Sequence, residues 1–471
     1  MGDQRVARAS FGSAVRALCG RAAGAIAAAW DAFPFGKAPF VILVGAVVSA
    51  GWLLAHPVTK TEATLRVWTF ATTHAEAYRK ALPAFEAARP GVKVDLQLVH
   101  WEAVTSRLRA AFWTDLDVPD LVEVEISAAG SFFRGPPEEI GFEDLTPRLA
   151  SSGLLDRLVR ARLAPYTCRG RIYGLPHDVH PVMLAYRRDI FEAEGVDASA
   201  LVTWDDFVRA GRRLTRLGER YMIQLSDAGS HNLEALLFQR GGGYFDAEGR
   251  VTMDDEIALE TLLWYIPLVA GPDRIASDPG GGQGFAQAFE DGYILSTICP
   301  DWRSKGIEND VPRLAGKLAL MPLPAARPLG RRTTTWGGTM VGITKKCAHK
   351  DLAWELACHL YLNPDDLAER FREMNILPPL RDAWGLEAFR EPRSYWSGQR
   401  IGELYAALGD DVPPQYTSPY INLAKSKLGS VVAACAAHYN RHGADGFVEF
   451  ARARLRQAGD ELRKYMKRNP F

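Results

Sequence analysis

Between residues 65 and 126 the chain reads LRVWTF (Leu65–Phe70), VKVDLQLV (Val92–Val99) and LVEVEI (Leu121–Ile126). The first reads as a short buried strand, the second alternates apolar and polar residues, and all three have the length of strands. Helical periods lie between them. Thr73 and Glu76 have the spacing of a capping box, in which each side chain satisfies a backbone donor of the other. That helix runs to about Arg89, is bent by Pro83 and is stopped by Pro90-Gly91. Glu102 to Trp113 is the second helix. Strand, helix, strand, helix, strand is the order of a parallel sheet with helices on its faces. Ligands of such sheets sit beyond the carboxyl ends of the strands. Phe70 to Thr73, His100 with Trp101, and Glu125 onward are therefore the places to look for function.

A second α/β unit starts near Tyr186. Thr203 and Asp206 (TWDDF) form another capping box, and Gly241-Gly242-Gly243 is a turn. Asp254 to Val269 is a helix interrupted near Pro267. Tyr293 to Cys299 (YILSTIC), Leu318 to Met321 (LALM) and Thr339 to Ile343 are strands. Lys350 to Leu362 is an amphipathic helix, and the tail from Ser426 to about Arg468 is helical.

A chain of 471 residues is too long for one core and implies two or three packed units. Lys plus Arg number 56, as do Asp plus Glu, so there is no cationic surplus to neutralise phosphates. Nucleic acid is not an expected partner. The 6 cysteines form no CxxC pair, so no zinc or redox motif is signalled, and one disulfide stays open. His177 and His180, three apart on an extended segment, point in different directions, and no metal or other cofactor is expected. No nucleophile-elbow, zincin, Walker or dinucleotide fingerprint occurs in a suitable strand–turn–helix setting.

Ala38 to Ala55 (APFVILVGAVVSAGWLLA) carries no charge. At about 1.5 Å per residue it spans roughly 27 Å, close to a bilayer core. Arg5, Arg8, Arg16, Arg21 and Lys37 precede it, which places the N-terminus in the cytoplasm and the remainder outside. The expectation is an uncleaved anchor contacting the lipid bilayer, with a cleavable signal peptide as its rival.

Several ordered segments resemble the extracellular solute-binding proteins of sugar ABC importers, the family of maltose-binding protein. Tyr173-Gly174-Leu175-Pro176 followed by Leu184 to Phe191 looks like that family's first lobe crossing. Thr203 to Phe207 is similar to a family helix start, and Gly243-Tyr244-Phe245-Asp246 with Gly249 to a family turn. Phe289 through Trp302 looks like its strand ending in G-P-W, although Asp301 stands where Gly or Pro is commoner. Leu318 to Pro324 resembles the second crossing and Ile376 to Pro379 the third. The resemblance implies a two-lobed periplasmic-binding-protein fold, type II-like, with three crossings, preceded here by one N-terminal transmembrane helix. The expected organisation is a cytoplasmic tail over 1–37, an anchor over 38–55 and a linker over 56–63. One lobe is expected over 64–180 and 322–376, the other over 181–321 and 377–471.

That family implies reversible capture of a neutral mono- or oligosaccharide and delivery to ABC permease subunits, without catalysis. Sugars offer hydroxyls and apolar C–H faces, so a site needs flat aromatic walls and a few fixed polar groups. Trp302, after the buried strand, is the first candidate for stacking, with lobe-surface packing as its bland alternative. Trp336 precedes Gly337, whose lack of a side chain lets the loop approach a ligand. Trp101 and Tyr420 are further aromatic candidates, and Tyr244 is one that doubles as a turn residue. Glu125, Asp178, Asp301 and His180 are the polar candidates, and the helix start at Thr73 offers backbone donors. The alternatives are a sensory or scaffold module with the same fold, a binder of polyol phosphate or peptide, and a glycosidase using paired carboxylates.

Overall fold

A computed structural model describes residues 37–55, 64–114 and 116–469. It falls into two compact units, residues 1–62 and residues 63–471. In the first unit the segment expected to cross a membrane does form a helix, α1 (Lys37–Ala55), with exposed Ile42 and Leu54 among its apolar side chains. Among the described residues, however, no helix is long and apolar enough to cross a membrane. The expected span is corrected on that ground. Nineteen residues that include Lys37 reach roughly 28 Å, at the lower limit for a bilayer core. Residues 1–36 of the expected cytoplasmic tail and the linker 56–63 lie outside the described residues.

The second unit contains two five-stranded sheets. β1 (Leu65–Thr69), β2 (Val94–Leu98) and β3 (Leu121–Glu125) are the three runs read first, and β1 pairs parallel with both others. Alternate residues Leu65, Val67 and Thr69 face the core, whereas β3 is buried on nearly every residue, as suits a central strand. The other members of this sheet are β4 (Leu175–Pro176) and β10 (Thr339–Ile343). β10 lies antiparallel between β3 and β4. The second sheet contains β5 (Val182–Arg187), β6 (Ile223–Gln224), β7 (Ala276–Ser277), β8 (Ser296–Pro300) and β9 (Leu318–Pro322). Here β5 lies at the centre of an antiparallel trio with β8 and β9.

Helices cover both sheets. α2 (Thr72–Ala87) and α3 (Trp101–Trp113) follow the first two strands, and α4 (Trp204–Leu214) and α5 (Glu256–Val269) pack on the second sheet. The capping box at Thr203 is present: Asp206 N–H donates to the Thr203 hydroxyl at 3.3 Å and Thr203 N–H to the Asp206 carboxylate at 2.9 Å. The box expected at Thr73 is absent. Ala71 is the N-cap, α2 begins two residues early, and Thr73 falls inside the first turn with its side chain exposed. The helical tail is two helices, α9 (Ile421–His442) and α10 (Phe447–Arg468), with Gly443 and Gly446 between them at φ 62°. α6 (Asp301–Asp310), α7 (Lys350–Leu362) and α8 (Pro364–Met374) complete the major helices.

Three segments link the sheets: 177–181 between β4 and β5, 323–338 between β9 and β10, and the chain after α8 from Asn375. They lie side by side. Val179 N–H donates to Leu377 O at 2.9 Å, Val182 N–H to Thr334 O at 3.2 Å, and His177 N–H to Thr339 O at 2.9 Å. One apolar cluster runs through this region from Leu65 and Val341 to Met183, Cys299 and Leu320.

The first sheet also buries a carboxylate. Glu123 accepts from the hydroxyls of Thr69, Tyr78 and Tyr361, and lies 3.1 Å from His74 Nδ1. Burial alone would raise its carboxyl, but His74 and Thr69 outweigh that and hold it at about 2. Glu123→Ala should cost about 3–5 kcal/mol in urea unfolding, because it strands four buried polar groups. The carboxylate contributes stability above its ordinary 4.5 and loses it as pH falls toward 2. Glu123→Gln should lack that acid limb, and an unchanged limb in the variant would assign it to other groups.

Candidate functional site

Asp301 opens α6 directly after β8, where the first helical N–H groups have no partner within the helix. Its carboxylate accepts from Trp302 N–H at 2.7 Å, from Leu377 N–H at 2.8 Å and from His180 Nδ1 at 2.5 Å. The other imidazole nitrogen of His180 lies 3.2 Å from Asp178 Oδ2. Asp178 in turn accepts from Arg162 Nη2 at 3.0 Å and Thr339 N–H at 3.1 Å. Arg162 spends its remaining donors on the Asp178 carbonyl, the Thr335 hydroxyl and the Gly337 carbonyl.

All four ionic side chains are buried. Such charges persist only when paired and hydrogen-bonded. Burial by itself would lower the pKa of His180, but Asp178 and Asp301 outweigh it and lift it to about 9. The imidazole is then doubly protonated at neutral pH, and two cations balance two carboxylates. His180 also holds a left-handed backbone, φ 54°, which costs a non-glycine residue about 1–3 kcal/mol. The surrounding bonds sustain that strain.

Trp302 stands on this base. The residue is 40% exposed, and its Nε1–H donates to the Trp336 carbonyl at 2.9 Å. The two indoles meet edge to face, with centroids 6.5 Å apart and planes at 84°, forming a two-walled apolar corner. Gly337 (φ +88°) lies beneath: a Cβ there would come within 3.1 Å of Trp302 Nε1 and 3.5 Å of His180 Cδ2. The structure thus gathers Trp302, Trp336, Gly337, His180, Asp178 and Asp301. The roles of three are corrected. Asp178, Asp301 and His180 are sealed in and engaged by protein groups, so they position the corner and present no free polar group to a ligand.

Of the remaining candidates, Glu125 stands opposite Thr339 in the β3–β10 ladder, two residues from Gly337 in that strand's approach. Glu125 caps the short helix after β3, accepting from Ser127 N–H at 2.8 Å and from the Ser127 hydroxyl. Burial pushes its carboxyl up, with Lys425 opposing and Glu234 reinforcing. Lys425 pairs with Glu234 at 3.0 Å, and Tyr244 donates to the same carboxylate at 2.8 Å. Tyr244 is buried and therefore a support for Glu234, which corrects its expected ligand role. Trp101 is exposed with His100 as its ring neighbour, and no ring contact among the described residues joins it to the Trp302 corner. Tyr420 packs edge to face on Tyr465 and lines a different cavity. Arg162, Lys425 and Glu234 were not singled out from sequence. Nothing local marks them, since their partners are distant in the chain.

The His180 pairing has a direct pH consequence. A group whose folded pKa is raised stabilises fully below its unfolded value, 6.5, and loses that contribution as pH rises through about 9. Urea midpoints should therefore fall between pH 6.5 and 9, and the fall should vanish in His180→Gln. A flat wild-type profile would show that His180 is not held charged.

A family model described as bacterial extracellular solute-binding protein matches residues 71–363, more than half of the chain. An arabinooligosaccharide-binding protein of Halalkalibacterium halodurans is 26% identical over 360 residues, covering 75% of this chain and 80% of that protein. One from Bacillus subtilis is 26% identical over 364 residues, covering 75% and 83%. Among solved structures, the sugar-binding protein MalE of Xanthomonas citri superposes with TM-score 0.70 at 19% identity, over 86% of this chain and 100% of that one. That likeness shows a two-lobed α/β fold. The chain belongs to the bacterial extracellular solute-binding protein family.

Proposed function

We propose that this protein reversibly binds an oligosaccharide between two lobes and hands it to an ABC permease on the outer side of a membrane. The observation that carries this reading is the Trp302–Trp336 corner, seated where all three inter-sheet segments meet. Two partly exposed indoles at right angles offer flat apolar faces to sugar C–H groups. The four buried ionic groups beneath them are already paired, so the ring resting on the corner is uncharged. Relatives described as arabinooligosaccharide-binding proteins support the same class of ligand.

The lobes are assigned to 64–180 with 322–376 and to 181–321 with 377–471. A hinge at the three linking segments lets them close over the sugar, and the closed form is what a permease reads. Binding then needs no bond-making step.

Trp302→Ala should weaken oligosaccharide binding by at least tenfold in calorimetry while the unfolding midpoint stays near that of the wild type. Trp336→Ala should do the same, because each indole forms one wall. Wild-type affinity in both variants would sink the assignment of this corner. A thermal-shift panel including arabinotriose, which raises the melting temperature only if it prefers the native state, identifies the sugar class.

A further inference from the structure

The two lobes meet again beyond the indole corner. Gly130, buried, follows the short helix Ile126–Ala129 and faces the loop that leads into α9. A Cβ on Gly130 would overlap the Thr417 hydroxyl and stand 2.5 Å from the Ser418 carbonyl oxygen. The backbone itself does not call for glycine, since φ −57° and ψ −29° suit any residue. What calls for it is the opposing loop. The Thr417 hydroxyl is buried and has no hydrogen-bond partner among the described residues, so the fit here is steric and not polar. This contact is continuous with the corner. Ile126 N–H donates to Gly338 O at 2.9 Å, beside Gly337. The Thr334 hydroxyl donates to Ala235 O at 2.7 Å, and the preceding residue, Glu234, pairs with Lys425 on α9 at 3.0 Å. The charges of Lys425 and Glu234 both reach Glu125, the residue before Ile126. Moving outward from the corner, residues of 64–180 and 322–376 thus oppose residues of 181–321 and 377–471 at three successive places. These are Gly337 under Trp302, Glu125 within reach of Lys425, and Gly130 on Thr417 and Ser418.

We propose that Gly130, packed on Thr417 and Ser418, is the closing contact of the two lobes and sets how far they shut over a sugar held in the Trp302–Trp336 corner. This assignment rests on the two-lobed sugar reading above and names the residue that governs closure. A side chain at 130 cannot push the Ser418 carbonyl aside, because that oxygen accepts the Ile421 N–H at 3.0 Å where α9 begins. Parting of the lobes relieves the overlap without disturbing the apolar core on either side. Parted lobes hold the sugar on one face only, and the apparent affinity falls with the fraction of molecules still able to close. Gly130 acts without touching the sugar, as a positioning residue.

The test measures lobe separation and sugar affinity on the full chain. Spin labels at Arg107→Cys on α3 and Lys464→Cys on α10, both exposed, report the distance between elements that line one crevice. Cys19→Ser, Cys168→Ser and Cys358→Ser keep the labels to those two sites. In the absence of sugar, Gly130→Ala should lengthen that distance while the urea midpoint stays near that of the wild type. In calorimetry it should weaken arabinotriose by about fivefold or more. Thr417→Phe drives the same wedge from the opposite lobe and should reproduce both effects. Alanine forms helix better than glycine, so without the opposing loop Gly130→Ala would be neutral or stabilising and leave the distance unchanged. An unchanged distance in both variants, or wild-type arabinotriose affinity in both, overturns the closing contact. So does a longer distance accompanied by a urea midpoint well below wild type, because it makes Gly130 a packing residue of its own lobe. If the distance lengthens as expected and arabinotriose binds neither wild type nor variants, the closing contact stands. The sugar panel and the Trp302→Ala variant then decide the oligosaccharide reading separately.

Discussion

The buried quartet of Arg162, Asp178, His180 and Asp301 is the constraint on which the rest of this molecule depends. Four ionised groups out of water would each cost several kcal/mol if left alone. Here the arrangement is closed: Arg162 to Asp178, Asp178 to His180, His180 to Asp301, with the remaining lone pairs taken by the Leu377, Thr339 and Trp302 amides. Each amide belongs to a different part of the chain. Satisfying these charges therefore fixes where the linking segments lie and where α6 begins. The indole corner is a by-product of that satisfaction, because Trp302 is the residue after Asp301 and Gly337 offers its carbonyl to Arg162.

A buried ionic network is weak evidence for stability, since well-packed apolar groups of similar volume often do as well. Its better use is geometric. Charges accept few arrangements, whereas an apolar hinge of the same size would tolerate sliding. The left-handed backbone at His180 fits this reading, because only a tightly specified surrounding maintains such strain.

Local patterns in the sequence reported the elements well and the interactions badly. The three opening strands were legible because apolar, β-branched runs bounded by turn residues have few other uses. The Thr203 cap was legible because its partner lies three residues away. The Thr73 cap was misread because α2 starts from Ala71, which has no capping side chain and so leaves no local signal of the true start. The break at Gly443 and Gly446 was hidden by helical period on both sides. At the site, position was legible and role was not. His180, Asp178 and Asp301 looked like polar ligands because their partners lie 16, 76, 121 and 161 residues away. The apolar segment 38–55 showed its helix plainly, whereas among the described residues no helix is long and apolar enough to cross a membrane.

The place of β10 bears on how the chain is made. It is inserted between β3 and β4, although more than 150 residues separate it from either. Until Thr339 to Ile343 have left the ribosome, β3 keeps an open edge of unpaired amides and carbonyls. The first sheet therefore has to wait for the distal part of the chain. Non-local pairing of this kind slows folding and prolongs exposure of sticky intermediates. For a protein whose family works beyond the cytoplasm, the same delay leaves the first sheet unfinished until most of the chain has been made.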